Sequence, residues 1–311
     1  MANGRFRNGL GRAASASSDH AVATGFVAAW RLVGKLPEHR ALALFERIAD
    51  RLHRGQGRGV QTLRGNLRRV RPELDSAALD ALTHRALRSY LRYWAESFRL
   101  PAWDTADLVA RTRTVHEDRL RRPYAEGRGV VVALPHQANW DWAGAWSCAT
   151  GMPLMTVAER LRPERLYDEF VEFRHSLGMR ILPLTGGQPP LPRLAEYLRQ
   201  GGFVCLLADR DLSRNAVEVL LCGEPARMPP GPALLARETG AALVPATLAY
   251  VGADLEITFH EEVVVGPGEE GVRAAMQRVA DAFTTGFRAH PEDWHMMQRL
   301  FSADLSPGEL P

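Results

Sequence analysis

His136 and Asp141 stand five positions apart in the segment VVVALPHQANWDWAG, residues 130–144. An imidazole takes and returns a proton near neutral pH. A carboxylate on one of its ring nitrogens fixes the tautomer and supports the cation that forms when the other nitrogen is protonated. Asn139 is a good N-cap, so Asp141 falls in the first turn of a helix and is placed to fold back toward the His136 ring. The two residues make a general base and its orienting acid. No G-x-S-x-G elbow supplies a nucleophile. Such a pair suits direct transfer, in which the base deprotonates an acceptor hydroxyl that itself attacks an activated acyl group.

The elements around the pair follow from periodicity. Residues 129–134 form a short continuous apolar run, the mark of a strand covered on both faces. Further strands are expected at 154–158, 181–184, 203–208, 243–250 and 255–259. Helices are expected at 139–149, 163–177, 191–199, 232–239 and 270–288. Strand alternating with helix predicts an α/β fold with a mostly parallel central sheet flanked by helices. In such sheets ligands collect at the carboxyl ends of the strands, which is where His136 lies. The stretch 222–232 is rich in Pro and Gly and reads as an irregular loop.

Ahead of this core the pattern is helical. Val22, Phe26, Trp30 and Val33 recur at helical spacing. So do Leu42, Phe45, Ala49 and Leu52, then Val60, Leu63, Leu67 and Val70, then Leu79, Leu82, Leu87 and Tyr90. Ser76 is a candidate cap for the fourth helix. The expected organisation is a disordered arm over 1–20, an all-helical region over 21–104 and an α/β core over 105–311. The helical region either packs on the core or lays an amphipathic face, with Trp30, Arg31 and Lys35, in a lipid interface.

The 311 residues carry a formal charge of +3, and Lys35 is the only lysine. This mild basic excess fits phosphate ligands or an anionic membrane surface better than nucleic acid. Cys148, Cys205 and Cys222 are odd in number and scattered, which argues against a disulfide framework or a zinc site. No histidine spacing suggests a catalytic metal. The early apolar run stops at Arg31, short of the ~20 residues a bilayer span requires. Glu159 follows one strand and Arg174 lies on the next helix, so both can reach the rim that holds His136. Arg210 and Arg227 are candidates for phosphoryl oxygens, which favour arginine forks.

His-x-x-x-x-Asp after an apolar strand resembles the signature of glycerolipid acyltransferases. The wider pattern resembles the bacterial lipid A biosynthesis acyltransferase family, and within it the group that acylates phosphatidylinositol mannosides. The stretches that carry the likeness are NLRRVRPEL (66–74), YWAESFRLP (93–101), GRGVVVALPHQANWDWAG (127–144), residues 184–213, residues 217–246 and HPEDWHMMQRLF (290–301). The resemblance implies acyl-CoA as donor, a mannosylated phosphatidylinositol as acceptor and no cofactor. It also implies a peripheral enzyme on the cytoplasmic face of the plasma membrane. It makes His136 the base and Asp141 its partner, and supports Glu159 and Arg174 as polar residues of the site. The family's second acid, which supports the histidine, falls within ADRD, residues 208–211; Asp209, at the end of the strand 203–208, is the best match by position, with the assignment open between it and Asp211, a candidate for substrate binding. Two other readings stand beside this one: acylation of another glycolipid or a lysophospholipid, and a catalytically silent membrane-binding protein on the same scaffold.

Overall fold

The computed structural model describes residues 25, 29–160, 163–211, 213 and 215–305. The arm expected over 1–20, together with Val22 and Phe26, lies outside them.

A helical segment at 29–34 leads into three longer helices: α1 (Glu38–Gly55), α2 (Arg58–Val70) and α3 (Ser76–Arg99). The cap of α3 is Asp75 rather than Ser76, its carboxylate accepting from the Ala78 N–H at 2.8 Å. A short helix α4 (Thr105–Ala110) then brings the chain to a seven-stranded sheet.

The strands of that sheet are β1 (Thr112–Val115), β2 (Val130–Leu134), β3 (Leu154–Ala158), β4 (Arg180–Pro183), β5 (Phe203–Leu207), β8 (Ala242–Val251) and β9 (Asp254–Phe259). Their spatial order is β1-β9-β8-β2-β5-β3-β4. Five neighbouring strands, from β8 to β4, run parallel; β9 turns back against β8 and pairs in parallel with β1. The remaining two, β6 (Val217–Leu221) and β7 (Glu224–Met228), form a separate antiparallel hairpin. The helices of the core are α5 (Asp118–Ala125), α6 (Trp140–Ala149), α7 (Glu164–Ser176), α8 (Pro190–Arg199), α9 (Gly231–Thr239) and α10 (Gly268–Ala289).

Every residue of β2 is buried, and the pleat sends alternate side chains into two different cores. Val130, Val132 and Leu134 face one cluster with Phe203, Val244, Trp142, Phe173 and the N-terminal helices. Val131 and Ala133 face another with Val204, Leu243, Leu198, Val279, Phe283 and Trp294. The result is three layers, with α1–α3 and α6–α7 on one side of the sheet and α8–α10 with the hairpin on the other. The packing reading of the N-terminal stripes holds for Trp30, Val33, Phe45, Leu63, Leu67 and Leu87, all buried against the core.

The start of β2 is set by Gly129. Its φ is +74°, and a Cβ there would stand 2.4 Å from the Leu198 carbonyl oxygen. Only glycine lets helix α8 approach the strand this closely.

Two expectations need correction. Residues 222–232 are not one irregular loop, because β7 and the start of α9 lie within them. Strand β1 was not expected at all. Among the described residues no helix is long and apolar enough to cross a membrane.

Candidate active site

The register of the sheet builds the site. Leu134 of β2 is paired with Leu207 of β5, and the Ala208 N–H donates to the Leu134 carbonyl at 2.9 Å. His136 and Asp209 each lie two residues past that last pair, so the two chain ends deliver them side by side. Asp209 Oδ1 lies 2.7 Å from His136 Nδ1, and its Oδ2 accepts the His136 backbone N–H at 3.1 Å. The Trp294 indole N–H donates to Oδ2 at 3.0 Å. Asp209 is fully buried, yet these donors and the adjacent imidazole hold its carboxyl below the usual carboxylate range, more than offsetting its burial.

Burial pulls the His136 imidazolium down, but the Asp209 charge and hydrogen bond prevail, and its pKa lies above the ordinary 6.5. With Nδ1 committed to Asp209, Nε2 is the nitrogen left for proton transfer. The His136 side chain keeps 37% of its surface exposed, on a cleft of about 480 Å³. Among the described residues, no serine, threonine or cysteine lines this cleft.

Asp141 does not fold back onto His136. Helix α6 turns its carboxylate toward α7, where Arg174 Nε and a terminal nitrogen bind Oδ1 and Oδ2 at 2.7 and 3.3 Å. The Tyr93 hydroxyl, from α3, donates to Oδ2 at 2.9 Å. A guanidinium offers two donors in one plane, so it outcompetes an imidazole for a carboxylate that it can meet bidentately. Burial disfavours the charge on Arg174, but Asp141 beside it holds the pKa above its ordinary value.

The other expected residues divide. Glu159, at the end of β3, and Arg174 both line the cleft with His136, with Arg174 bonded to Asp141. Arg210 lies close enough for its charge to lower the His136 pKa, and its Nε donates to the Arg299 carbonyl at 3.1 Å. Asp211 is turned away: its carboxylate caps the Ser213 N–H at 2.7 Å and accepts the Ser213 hydroxyl at 3.0 Å. Of the two acids left open in ADRD, it is Asp209 that meets the histidine. Arg227 is not brought into the cleft; it binds the carbonyls of Ser213 and Ala216 at 3.0 and 3.4 Å, tying the hairpin to that turn.

Sequence reasoning missed the supports from distant segments. Residues 293–295 pin the turn that carries His136. The Ala138 N–H donates to the Asp293 carbonyl at 2.8 Å, and the His295 N–H donates to the His136 carbonyl at 2.9 Å. Trp294, fully buried in the core, also bonds Asp209. An indole buried beside polar groups finds an acceptor for its N–H, and that was the one available signal. Asn139 caps α6 by accepting the Trp142 N–H at 2.9 Å, and its amide donates to the buried Glu96 at 3.1 Å. Glu96 in turn binds Arg92 at 2.6 Å and accepts the Tyr250 hydroxyl at 3.0 Å.

Beside the cleft lies an apolar cavity of about 90 Å³. Its floor is one face of the sheet: Val132 and Leu134, then Phe203, Cys205 and Leu207, then Ile257 and Phe259. Trp140, Val157, Arg174 and Leu207 line both spaces, so the cavity opens where the charged site ends. Among the described residues no three His, Cys, Asp or Glu side chains converge as metal ligands.

A histidine held by a carboxylate, an open approach to its second nitrogen and an adjoining apolar cavity thus lie together at the carboxyl ends of the strands. Residues 16–303 match the family model for bacterial lipid A biosynthesis acyltransferases. The chain belongs to this family. A phosphatidylinositol mannoside acyltransferase of Mycolicibacterium smegmatis is 44% identical over 283 residues, covering 91% of this chain and 92% of the relative. A protein of the same name from Mycobacterium tuberculosis, strain CDC 1551 / Oshkosh, is 43% identical over 284 residues, covering 90% and 89%. In this acyltransferase the His-x-x-x-x-Asp motif thus spans two ion pairs, with one member of each.

Proposed function

We propose that this acyltransferase moves a long-chain acyl group from acyl-CoA to a mannose hydroxyl of a phosphatidylinositol mannoside, in one direct step. The observation that carries the reading is His136: oriented by Asp209, open at Nε2 and lining a cleft in which, among the described residues, there is no serine, threonine or cysteine.

His136 Nε2 takes the proton of the acceptor hydroxyl as its oxygen attacks the thioester carbonyl carbon. The C–S bond breaks, and the CoA sulfur leaves with the proton returned from the imidazolium. Asp209 supports that transient cation. The first carbons of the acyl chain enter the apolar cavity, whose volume of about 90 Å³ admits only part of a long chain. Arg174, which lines both cavity and cleft, offers its guanidinium to the carbonyl oxygen as negative charge develops there. Glu159 and Arg210, at the polar rim, contact the acceptor headgroup.

The protein works at the cytoplasmic face of the plasma membrane. Leu44, Ile48 and Leu52 are exposed along α1 at every fourth position, beside the exposed Arg40, Arg47 and Arg51. An apolar stripe edged by arginine suits an anionic lipid interface.

The test is CoA release from palmitoyl-CoA with and without a mannosylated phosphatidylinositol, and identification of the acylated product. Acceptor-dependent release with the acyl group on mannose is expected. Release that ignores the mannoside, or transfer only to a lysophospholipid or another glycolipid, would overturn the assignment of the acceptor. No thioester cleavage with any of these would leave the silent-scaffold reading standing.

A further inference from the structure

Helix α2 buries an apolar stripe, Val60, Leu63, Leu67 and Val70. Asn66 interrupts it. This side chain is fully buried, and its Oδ1 has no hydrogen-bond partner among the described residues. Leaving a buried acceptor unmatched costs stability, and an apolar side chain of similar size would avoid that cost. The other end of the same amide accounts for it.

Asn66 Nδ2 donates to the Met296 carbonyl at 2.8 Å and to the Gln298 carbonyl at 3.0 Å. Only the NH2 end of an amide can meet two carbonyls, so the orientation of the side chain is fixed. The two acceptors flank Met297, and Met296, Met297 and Gln298 all line the His136 cleft. The apolar cavity is lined by other residues. Asn66 thus reaches 230 residues along the chain to fix the peptide planes of one cleft wall. The same face of α2 meets this closing segment at two more points. Gly59 lies two turns earlier, and a Cβ there would stand 2.9 Å from Met297 Cε, so the glycine leaves room for that methionine. Arg69, in the last turn, binds Asp304 at 2.8 Å and lies over the Phe301 ring, 4.5 Å from its centroid.

We infer that Asn66 is a positioning residue for the acceptor: it holds the wall formed by residues 296–298, and that wall sets how tightly the mannoside binds. The inference rests on the acyltransferase reading of the cleft and adds a determinant of acceptor affinity. The route bypasses the base. His136 and its turn are held by Asp209 and by residues 293–295, through bonds in which Asn66 takes no part. The start of the acyl chain enters the cavity, away from this wall. Asn66 therefore acts on the acceptor KM and leaves kcat, the donor KM and the titration of His136 alone.

The experiment compares two variants with the wild type. Asn66→Leu keeps the volume, continues the apolar stripe and removes both donors. The KM for a mannosylated phosphatidylinositol should rise about tenfold, the worth of one lost hydrogen bond. The kcat, the KM for palmitoyl-CoA and the acid limb of the pH profile should stay as in the wild type. Backbone amides of residues 296–299 should exchange with deuterium faster. Gly59→Ala displaces the free end of Met297 without removing a bond, and alanine is the better helix former, so its unfolding midpoint should not fall. Its acceptor KM should rise in the same sense, by less. A merely structural Asn66 would instead lower the unfolding midpoint and depress turnover with donor and acceptor alike. That result, or unchanged amide exchange in Asn66→Leu, would overturn the inference. Should Asn66→Leu fail to fold, Gly59→Ala decides: a raised acceptor KM at undiminished stability supports the inference, and an unchanged one overturns it. If the wild type acylates no mannoside, the proposed function falls, and the hold of Asn66 on the wall is judged by amide exchange alone, which needs no substrate.

Discussion

His136 and Asp141 leave the same strand-to-helix connection, yet each is paired with a residue from elsewhere. His136 meets Asp209 beyond β5, and Asp141 meets Arg174 on α7. Both carboxylates are buried, 0% and 2% exposed, and both hold their cationic partner at 2.7 Å. The difference is in the partner. A guanidinium keeps its proton at any working pH, so Asp141–Arg174 is a fixed dipole wedged between three helices. An imidazole exchanges its proton near neutrality, and 37% of the His136 side chain is exposed, on the cleft. The same ion-pair geometry holds a permanently charged base in one case and a titratable one in the other. What decides is the chemistry of the base and which end of it faces solvent.

The contrast can be broken at each end. Replacing His136 with Ala should have the largest effect, a loss of ~10²–10⁴-fold in acyl transfer with the melting transition little changed. Single-turnover transfer at saturating donor measures it. Asp209→Asn should come next, at roughly 10²-fold, because the tautomer is released and the countercharge is lost. Asp141→Asn should act through stability, since it leaves the guanidinium of Arg174 buried without its charge partner. A broken buried pair costs about 3–5 kcal/mol, so denaturant unfolding should shift far more for this variant than for Asp209→Asn. Equal unfolding midpoints for the two would erase the distinction.

A smaller effect lies in the pH profile. His136 accepts a proton only when neutral, and its pKa is raised by Asp209, so activity should rise with pH through a value above 6.5. In Asp209→Asn the limb should move toward acid, because the charge that raised the pKa is gone. Asp211→Asn should change the rate least, within about threefold, as expected for a surface turn residue whose loss costs under ~0.5–1 kcal/mol.

The sheet was legible where its strands are buried on both faces. The runs at 130–134 and 203–207 have no strongly polar residue, and 154–158 is interrupted only by Thr156. Strand β1, TRTV, is an edge strand with charged and polar side chains, so it lacks that signal. The hairpin was hidden by Pro225. In the structure Pro225 faces Leu220 in the ladder, and both backbone groups of Leu220 point outward to the side chain of Gln277. Proline at that position removes no ladder hydrogen bond, and the strand tolerates it.

For the site, the histidine was legible from its place after a buried strand, whereas Asp209 as its support came only from the family resemblance and not from spacing along the chain. Which acid reaches Nδ1 depends on the register of β2 against β5, a pairing across the sheet that spacing along the chain does not encode. The preference for Asp141 followed from nearness in sequence. Arg174 was recognised as a residue of the rim, but not as the group that would claim that carboxylate.

The bonds made by residues 293–295 also fix when the enzyme can first exist. Synthesis runs from the N-terminus, so β2 with His136 and β5 with Asp209 leave the ribosome long before Trp294. Trp294 lies 85 residues beyond the carboxylate it binds. Until that segment arrives, the turn bearing His136 has no partner for its 136 carbonyl or its 138 N–H, and Asp209 lacks the indole that helps to hold its charge. A nascent chain therefore carries the motif but not the assembled base. Activity should appear in one step as the closing segment docks, and proteolytic removal of residues from 293 onward should extinguish it while the sheet remains.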